Sequence, residues 1–336
     1  MRLLIKVSTI LLIFIVLGLA MGWTEYQRFV TTPLTVGDEG YTFTITPGTN
    51  LGKISKQVKQ DGLTEFPDYY LRIYGRIEKK AHLIKAGEYL IKPNTTLPQL
   101  LDQFIAGQVI QHSFTIVEGM TSQQLINEII SDKRLVSTLE NSSLQAVMSI
   151  LDLPKNNGEG EFLPETYNFT KGMTDRQLLA RSHKAMTVQL ESEWKNRAKN
   201  LPYKTPYEAL IMASIIEKES GIAEERPQIA GVFVRRLNMG MRLQTDPTVI
   251  YGMGDSYKGN IRRKDLRTDT PYNTYTRSGL PPTPIALPSK EAIYAALHPQ
   301  AGKSLYFVAT GKEGRHVFSN TLTEHNRAVR KYQLKK

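Results

Sequence analysis

Residues 205–220 read TPYEALIMASIIEKES, an apolar run that ends in two glutamates, Glu217 and Glu219, bracketing one lysine. From Ala209 to Ile216 the only polar residue is Ser214, so the pattern predicts a helix that runs through a core. Thr205 can cap it, Pro206 suits its first position, Glu208 completes a capping box, and Gly221 offers a stop. A carboxylate carried out of an apolar interior at the negative end of a helix dipole is pushed toward its protonated form. That is the state a general acid needs.

Residues two apart on a helix point about 200° apart, so the two glutamates do not make a side-by-side pair. Glu219 shares a face with Met212, Ile215 and Ile216, whereas Glu217 follows Leu210, Ala213 and Ser214. The bulkier neighbours predict the larger upward shift for Glu219, which is therefore the preferred acid. Glu217 reads as the wet end of the helix or as a support, with Arg235 or Arg236 on the next helix as its partner.

A second group of residues suits sugar rings. MRLQTDPTVIYG (241–252) and PYNTYTRSGLPP (271–282) hold Gln244, Asp246, Tyr251, Tyr272, Asn273 and Tyr275. Aromatic faces match the C–H faces of a sugar, and amide and carboxylate groups match its hydroxyl rim. The same tyrosines could simply pack loops onto a core. Other chemistries find no support: HExxH, GxSxG and P-loop strings are absent, and the six histidines are scattered. Neither a metal nor a cofactor is expected. YGMGDSY (251–257) reads as a turn.

These residues need a scaffold, and the chain has 336 residues for it, about two ordinary domains. It opens with MRLLIKVSTILLIFIVLGLAMGWTEYQR, in which Val7–Trp23 is 17 residues without a charge. That run is at the short end of a membrane span, and Leu3 and Leu4 lengthen it if Lys6 snorkels. Arg2 and Lys6 precede it, which places the N-terminus in the cytoplasm, and Trp23 and Tyr26 follow as interface anchors. A cleaved leader ending at Ala20-Met21-Gly22 is the competing reading, and Trp23 suits an anchor better. Either way the rest of the chain is exported.

The chain has no cysteine, hence no disulfide framework. Its net charge of +11 invites polyanions. Export argues against nucleic acid, and anionic lipid or a carboxylate-bearing wall polymer fits better; a merely soluble basic surface is the competing reading.

Three segments, 41–58, 88–104 and 113–129, each run strand, turn, cap and amphipathic helix, which predicts units sharing a core. They are similar in pattern to LysM modules that hold cell-wall glycans. A polar bridge, PKNNGEGEF (154–162), leads to helices around 174–198, 205–221 and 225–238. Residues 241–288 read as long loops, 305–319 as a hairpin turning at 311–314, and TLTE (321–324) opens a last helix. The class is α+β.

The strings ASIIEKES, GVFVRRLNMGMRLQTDPTVIYGMG, YNTYTRSGLPPTPIALPSKEA, AALHP, LYFVATG, HVFS and TLTEHN, with GEGEFLPETYNF upstream, resemble the endolytic murein transglycosylases, the YceG-like family. The resemblance is collinear from about residue 40 to the end. Thr283 after GLPP and Pro288-Ser289 depart from the commoner residues of the pattern.

The resemblance implies a transmembrane anchor (1–24), a LysM-like α/β subdomain (40–112) and an α+β catalytic domain (113–336). The bulk would be periplasmic on a single-pass inner-membrane anchor. The implied reaction cleaves peptidoglycan strands internally between N-acetylmuramic acid and N-acetylglucosamine, leaving 1,6-anhydro ends and terminating glycan elongation. Its catalytic glutamate is the second of the Glu-Lys-Glu run, Glu219, with Ser220 beside it as in other lytic transglycosylases. Peptidoglycan synthases are the partners the family suggests. Two other functions compete: a non-catalytic peptidoglycan-binding anchor, and a hydrolytic muramidase using water.

Overall fold

The computed structural model describes residues 2–139, 143–153, 158–311 and 314–334. Parts of the bridge (154–157) and of the hairpin turn (312–313) lie outside them. The chain divides into two compact units, Met1–His112 with Phe169–Gly172, and Ser113–Asn168 with Met173–Lys336.

The first unit begins with α1 (Arg2–Thr31) and continues through β1 (Tyr41–Ile45), α2 (Leu51–Gln60), α3 (Asp68–Ile77), β2 (Gly87–Ile91) and α4 (Leu97–Ala106). The strands pair antiparallel, Tyr41 opposite Ile91 and Ile45 opposite Gly87. Their inward residues Phe43, Tyr89 and Ile91 meet Ile54 of α2 and Phe104 of α4 in one core. Phe43 stacks on Phe104 at 5.6 Å. Thr96 and Gln99 cap α4 reciprocally, and Gly107 ends it in the left-handed conformation that a β-carbon disfavours. The last turns of α1 belong to this core, with Phe29 buried against Phe66, Tyr70 and Tyr74.

The second unit carries β3 (His112–Thr115), α5 (Ser122–Ser131), α6 (Leu144–Ile150), β4 (Thr166–Phe169), α7 (Asp175–Lys195) and α8 (Pro206–Glu219). After these come α9 (Arg226–Asn238), α10 (Asp246–Met253), α11 (Arg263–Arg267), α12 (Lys290–Leu297), β5 (Tyr306–Ala309), β6 (His316–Ser319) and α13 (Leu322–Tyr332). Thus the three strand–helix repeats do not share one core. The first two do, and the third pairs its strand with β4.

Helix α8 is the axis of this unit, as its lack of a polar face requires: Ala209–Ile216 are all buried, enclosed by residues of α7, α9 and α12. Thr205 accepts from the Glu208 amide, but the Glu208 carboxylate turns back to the Lys204 amide, so the capping box is only half made. The helix stops one step before Gly221, because Ser220 is extended and its hydroxyl bonds the Ile222 backbone. Residues 241–288 are not all loop. Thr245 precedes α10 and Pro247 stands in its first turn, start signals that the surrounding Pro and Gly content obscured. The hairpin β5–β6 forms with Tyr306 opposite Ser319, and Thr321 with Glu324 caps α13.

Candidate active site

The last turn of α8 delivers its two glutamates to different surroundings. Glu217 is buried, its carboxylate 2.8 Å from the Arg226 guanidinium. It also accepts from the Ser289 amide at 2.9 Å and from the Ser289 hydroxyl. Arg226 in turn donates to Ser289 Oγ at 2.9 Å. This closed cluster ties α8 to the start of α9 and the cap of α12. The partner expected from sequence was Arg235 or Arg236, and neither supplies it. Arg235 donates to the Ser304 and Gln300 carbonyls, and Arg236 to those of Leu305, Arg242 and Leu243.

Glu219 stands half-buried at a cavity of about 480 Å³. Its carboxylate accepts from the Thr245 hydroxyl. Burial pushes the Glu219 carboxyl up from the ordinary range, the Thr245 hydrogen bond opposes that, and the Asp246 charge adds to it. His316 and Arg236 pull the other way. The net direction is upward, toward a group that holds its proton and can donate it.

Thr245 is itself fixed. Its amide donates to Thr274 Oγ1 at 3.1 Å, and its carbonyl accepts from Thr248 Oγ1 at 2.8 Å. Gln244, one residue earlier, lines the cavity from a left-handed backbone, φ 52°. A residue with a side chain adopts that conformation at a cost of about 1 kcal/mol or more, an outlier of the kind that clusters at functional sites. Asp246 accepts a 2.6 Å hydrogen bond from the Tyr275 hydroxyl, and both face the cavity. Burial and the Asp246 carboxylate push the Tyr275 phenol upward, which keeps it a donor.

Of the six expected sugar-contacting residues, Gln244, Asp246 and Tyr275 therefore join Glu219, and the other three do not line this cavity. Tyr251 and Tyr272 pack edge to face at 4.9 Å. The Tyr251 hydroxyl donates to Glu159 at 3.0 Å, and that of Tyr272 meets Thr283. Asn273 is buried and spends its amide on the Asp265, Leu266 and Thr268 carbonyls, while its oxygen caps the Tyr275 amide. It shapes the loop that presents Tyr275. Ser220 is buried too, occupied with ending the helix.

Several cavity residues escaped sequence reasoning. His316 on β6 is held through Nδ1 at 2.8 Å and through its amide at 3.2 Å by Glu225, which fixes the ring against Phe307. Arg236 sits 5.1 Å from the Tyr306 ring, held by carbonyls alone among the described residues. A charge inside the apolar stripe of α9 was the available signal for Arg236. For His316 none existed, since its partner lies 91 residues away. Glu159, buried and pushed upward by burial, accepts from the Ser122 and Gly160 amides and faces a second cavity of about 780 Å³. Among the described residues, no group of three acidic or histidine side chains could hold a metal ion.

A family model described as YceG-like matches residues 43–331. A Bacillus subtilis protein named endolytic murein transglycosylase is 30% identical over 308 residues, covering 86% of this chain and 83% of that protein. One of the same name from Streptococcus pneumoniae is 28% identical over 354 residues, and the match spans 95% of this chain but 63% of that relative. The crystal structure of a putative YceG-like protein from Listeria monocytogenes superposes with a TM-score of 0.54. It has 30% identity and covers 87% of this chain and 99% of that one.

Proposed function

The chain belongs to the YceG-like family, and from that premise we propose that it is a membrane-anchored endolytic murein transglycosylase with Glu219 as its acid and base. Relatives bearing that name support the substrate, peptidoglycan glycan strands. The observation that carries the assignment of the acid is the state of Glu219: a carboxyl pushed upward by burial, with its hydroxyl partner fixed, at a polar cavity.

In this reading Glu219 protonates the oxygen between N-acetylmuramic acid and N-acetylglucosamine as the C1–O bond breaks. It then takes the proton of the muramic 6-hydroxyl as that oxygen closes on C1. The anhydro product consumes no water, so one carboxylate serves twice. Gln244, Asp246 and Tyr275 would hold the sugar. Glu217 and Ser220 fix the end of α8 from behind. Residues 40–112 are assigned as a LysM-like subdomain on the strength of their β–α–α–β order with paired strands, and residues 113–336 as the catalytic domain. The helix Lys6–Thr31 is long and apolar enough to cross a membrane, and Arg2 and Lys6 orient it with its N-terminus in the cytoplasm.

One observation favours a second reading. Asp246 shares the cavity with Glu219, and two carboxyl groups flanking a bond are what a hydrolase uses to activate water. Mass spectrometry on uncrosslinked strands treated with the full chain separates the two. Anhydro-muramyl ends from the wild type and none from Glu219→Gln establish the transglycosylase and its acid. Reducing ends establish hydrolysis, and cutting by the glutamine variant at the wild-type rate removes Glu219 from the role.

A further inference from the structure

Helix α3 exposes three large apolar residues at intervals of four, Tyr69 (49% exposed), Ile73 (53%) and Ile77 (71%). Its opposite face is spoken for, with Leu71 and Gly75 buried in the core. A ten-residue helix with one apolar stripe inward and a second outward has an unpartnered side.

What covers that side follows from where α1 passes. Ile73 and Ile77 line a groove of about 310 Å³ together with Gly22, Tyr26 and Phe29 of α1. Gly22 is inside the uncharged run Val7–Trp23, and Trp23 and Tyr26 pair their rings at 5.8 Å at its end. The level at which α1 leaves the hydrocarbon is thus the level of the outer stripe of α3. Because Phe29 is locked among Phe66, Tyr70 and Tyr74, α1 cannot swing away and change that height. Arg76 is exposed beside Ile77, where it can reach lipid phosphates, and Arg72, paired with Asp68 at 3.3 Å, is exposed beside Ile73. Tyrosines at this depth are the composition of a membrane interface belt.

We propose that the Tyr69–Ile73–Ile77 face of α3 is a membrane-seating surface that lies in the headgroup zone of the bilayer around α1. It rests on the reading of α1 as an inserted anchor. The first unit would then be held to the lipid at two points, a span and a helix lying flat. A second copy of the chain is the rival occupant.

The absence of cysteine lets single substitutions report one position each. Full-length Ile73→Cys, Ile77→Cys and Leu17→Cys, each carrying an environment-sensitive fluorophore, are reconstituted in phosphatidylethanolamine–phosphatidylglycerol vesicles. The labels at 73 and 77 should be blue-shifted, quenched by nitroxide near the headgroup and shielded from aqueous iodide. The label at 17 should be quenched by nitroxide deep in the acyl chains. Iodide quenching at 73 and 77 as strong as for free dye overturns the proposal. So do labels shielded from iodide, untouched by nitroxide lipid and joined between copies by oxidised Ile73→Cys. Failure of the label at 17 to meet the deep nitroxide overturns the anchor reading instead.

Discussion

Glu217 and Glu219 leave the same turn of α8, yet one is enclosed by Arg226 and both donors of Ser289, while the other meets a single hydroxyl and an open cavity. Both carboxylates are largely withdrawn from water, Glu217 buried and Glu219 half-buried, so burial alone does not give them their different roles. The number of fixed partners does. A carboxylate with a cation and two further donors has its lone pairs committed and acts as a bolt between helices. One with a single donor, disfavoured as an anion, has a proton and an open side to offer.

The hardest way to break this contrast is Glu219→Gln. It should lower the rate of strand cleavage by about a thousandfold, within the range of a lost general acid, while the melting temperature holds or rises. A carboxyl whose folded value is raised contributes stability fully below its unfolded value, about 4.3, and loses that contribution as pH rises toward the folded value. The glutamine variant should therefore gain on the wild type as pH rises above about 4 in denaturant titrations. A constant difference would mean Glu219 is not shifted upward. Cleavage itself should fall on the alkaline side as the acid loses its proton.

Glu217→Ala should reverse the pattern. Leaving Arg226 buried without its partner costs about 3–5 kcal/mol. Urea unfolding would show that loss, and adding Arg226→Ala should restore part of it. An unchanged midpoint would make the cluster decorative. Thr245→Val is a finer probe. Its hydroxyl holds Glu219 down, so removing it should move the alkaline limb of the rate profile to higher pH and lower cleavage by less than about tenfold. A limb that moves to lower pH would contradict the assigned role. Smallest of all, Tyr251→Phe should change cleavage by less than about threefold and cost roughly 1–2 kcal/mol, because Glu159 loses a donor outside the Glu219 cavity. A large loss of activity would draw the second cavity into the site.

Much of this was legible in the chain because it is local. The cap at Thr205, the apolar length of α8, the offsets that place Glu219 beneath Ile215 and Ile216, the hairpin and the cap at Thr321 are written in residues a few positions apart. What stayed hidden is contact across distance. Ser289 reaches Glu217 from 72 residues on, and Glu225 reaches His316 from 91 away. The sequence points to Arg235 or Arg236 as the partner of Glu217, whereas the short turn Ala223–Glu225 brings Arg226 to it instead. Asn273 has the chemistry of a sugar ligand. Its amide is consumed by three carbonyls of its own loop, which composition alone cannot reveal.

In the anchored reading, the fixed exit of α1 bears on the kind of bilayer that would suit the protein. Its stretch Val7–Trp23 covers about 25 Å as a helix, short of the roughly 30 Å of an average hydrocarbon layer. A flexible tether would absorb the shortfall by sinking. If α1 spans, as proposed above, the end of the span is built into a folded core, so the bilayer would thin around it or Lys6 would snorkel to the headgroups. In that reading, patches of thinner bilayer would be the cheapest place for the chain to stand, and lateral sorting by thickness would follow from a buried phenylalanine.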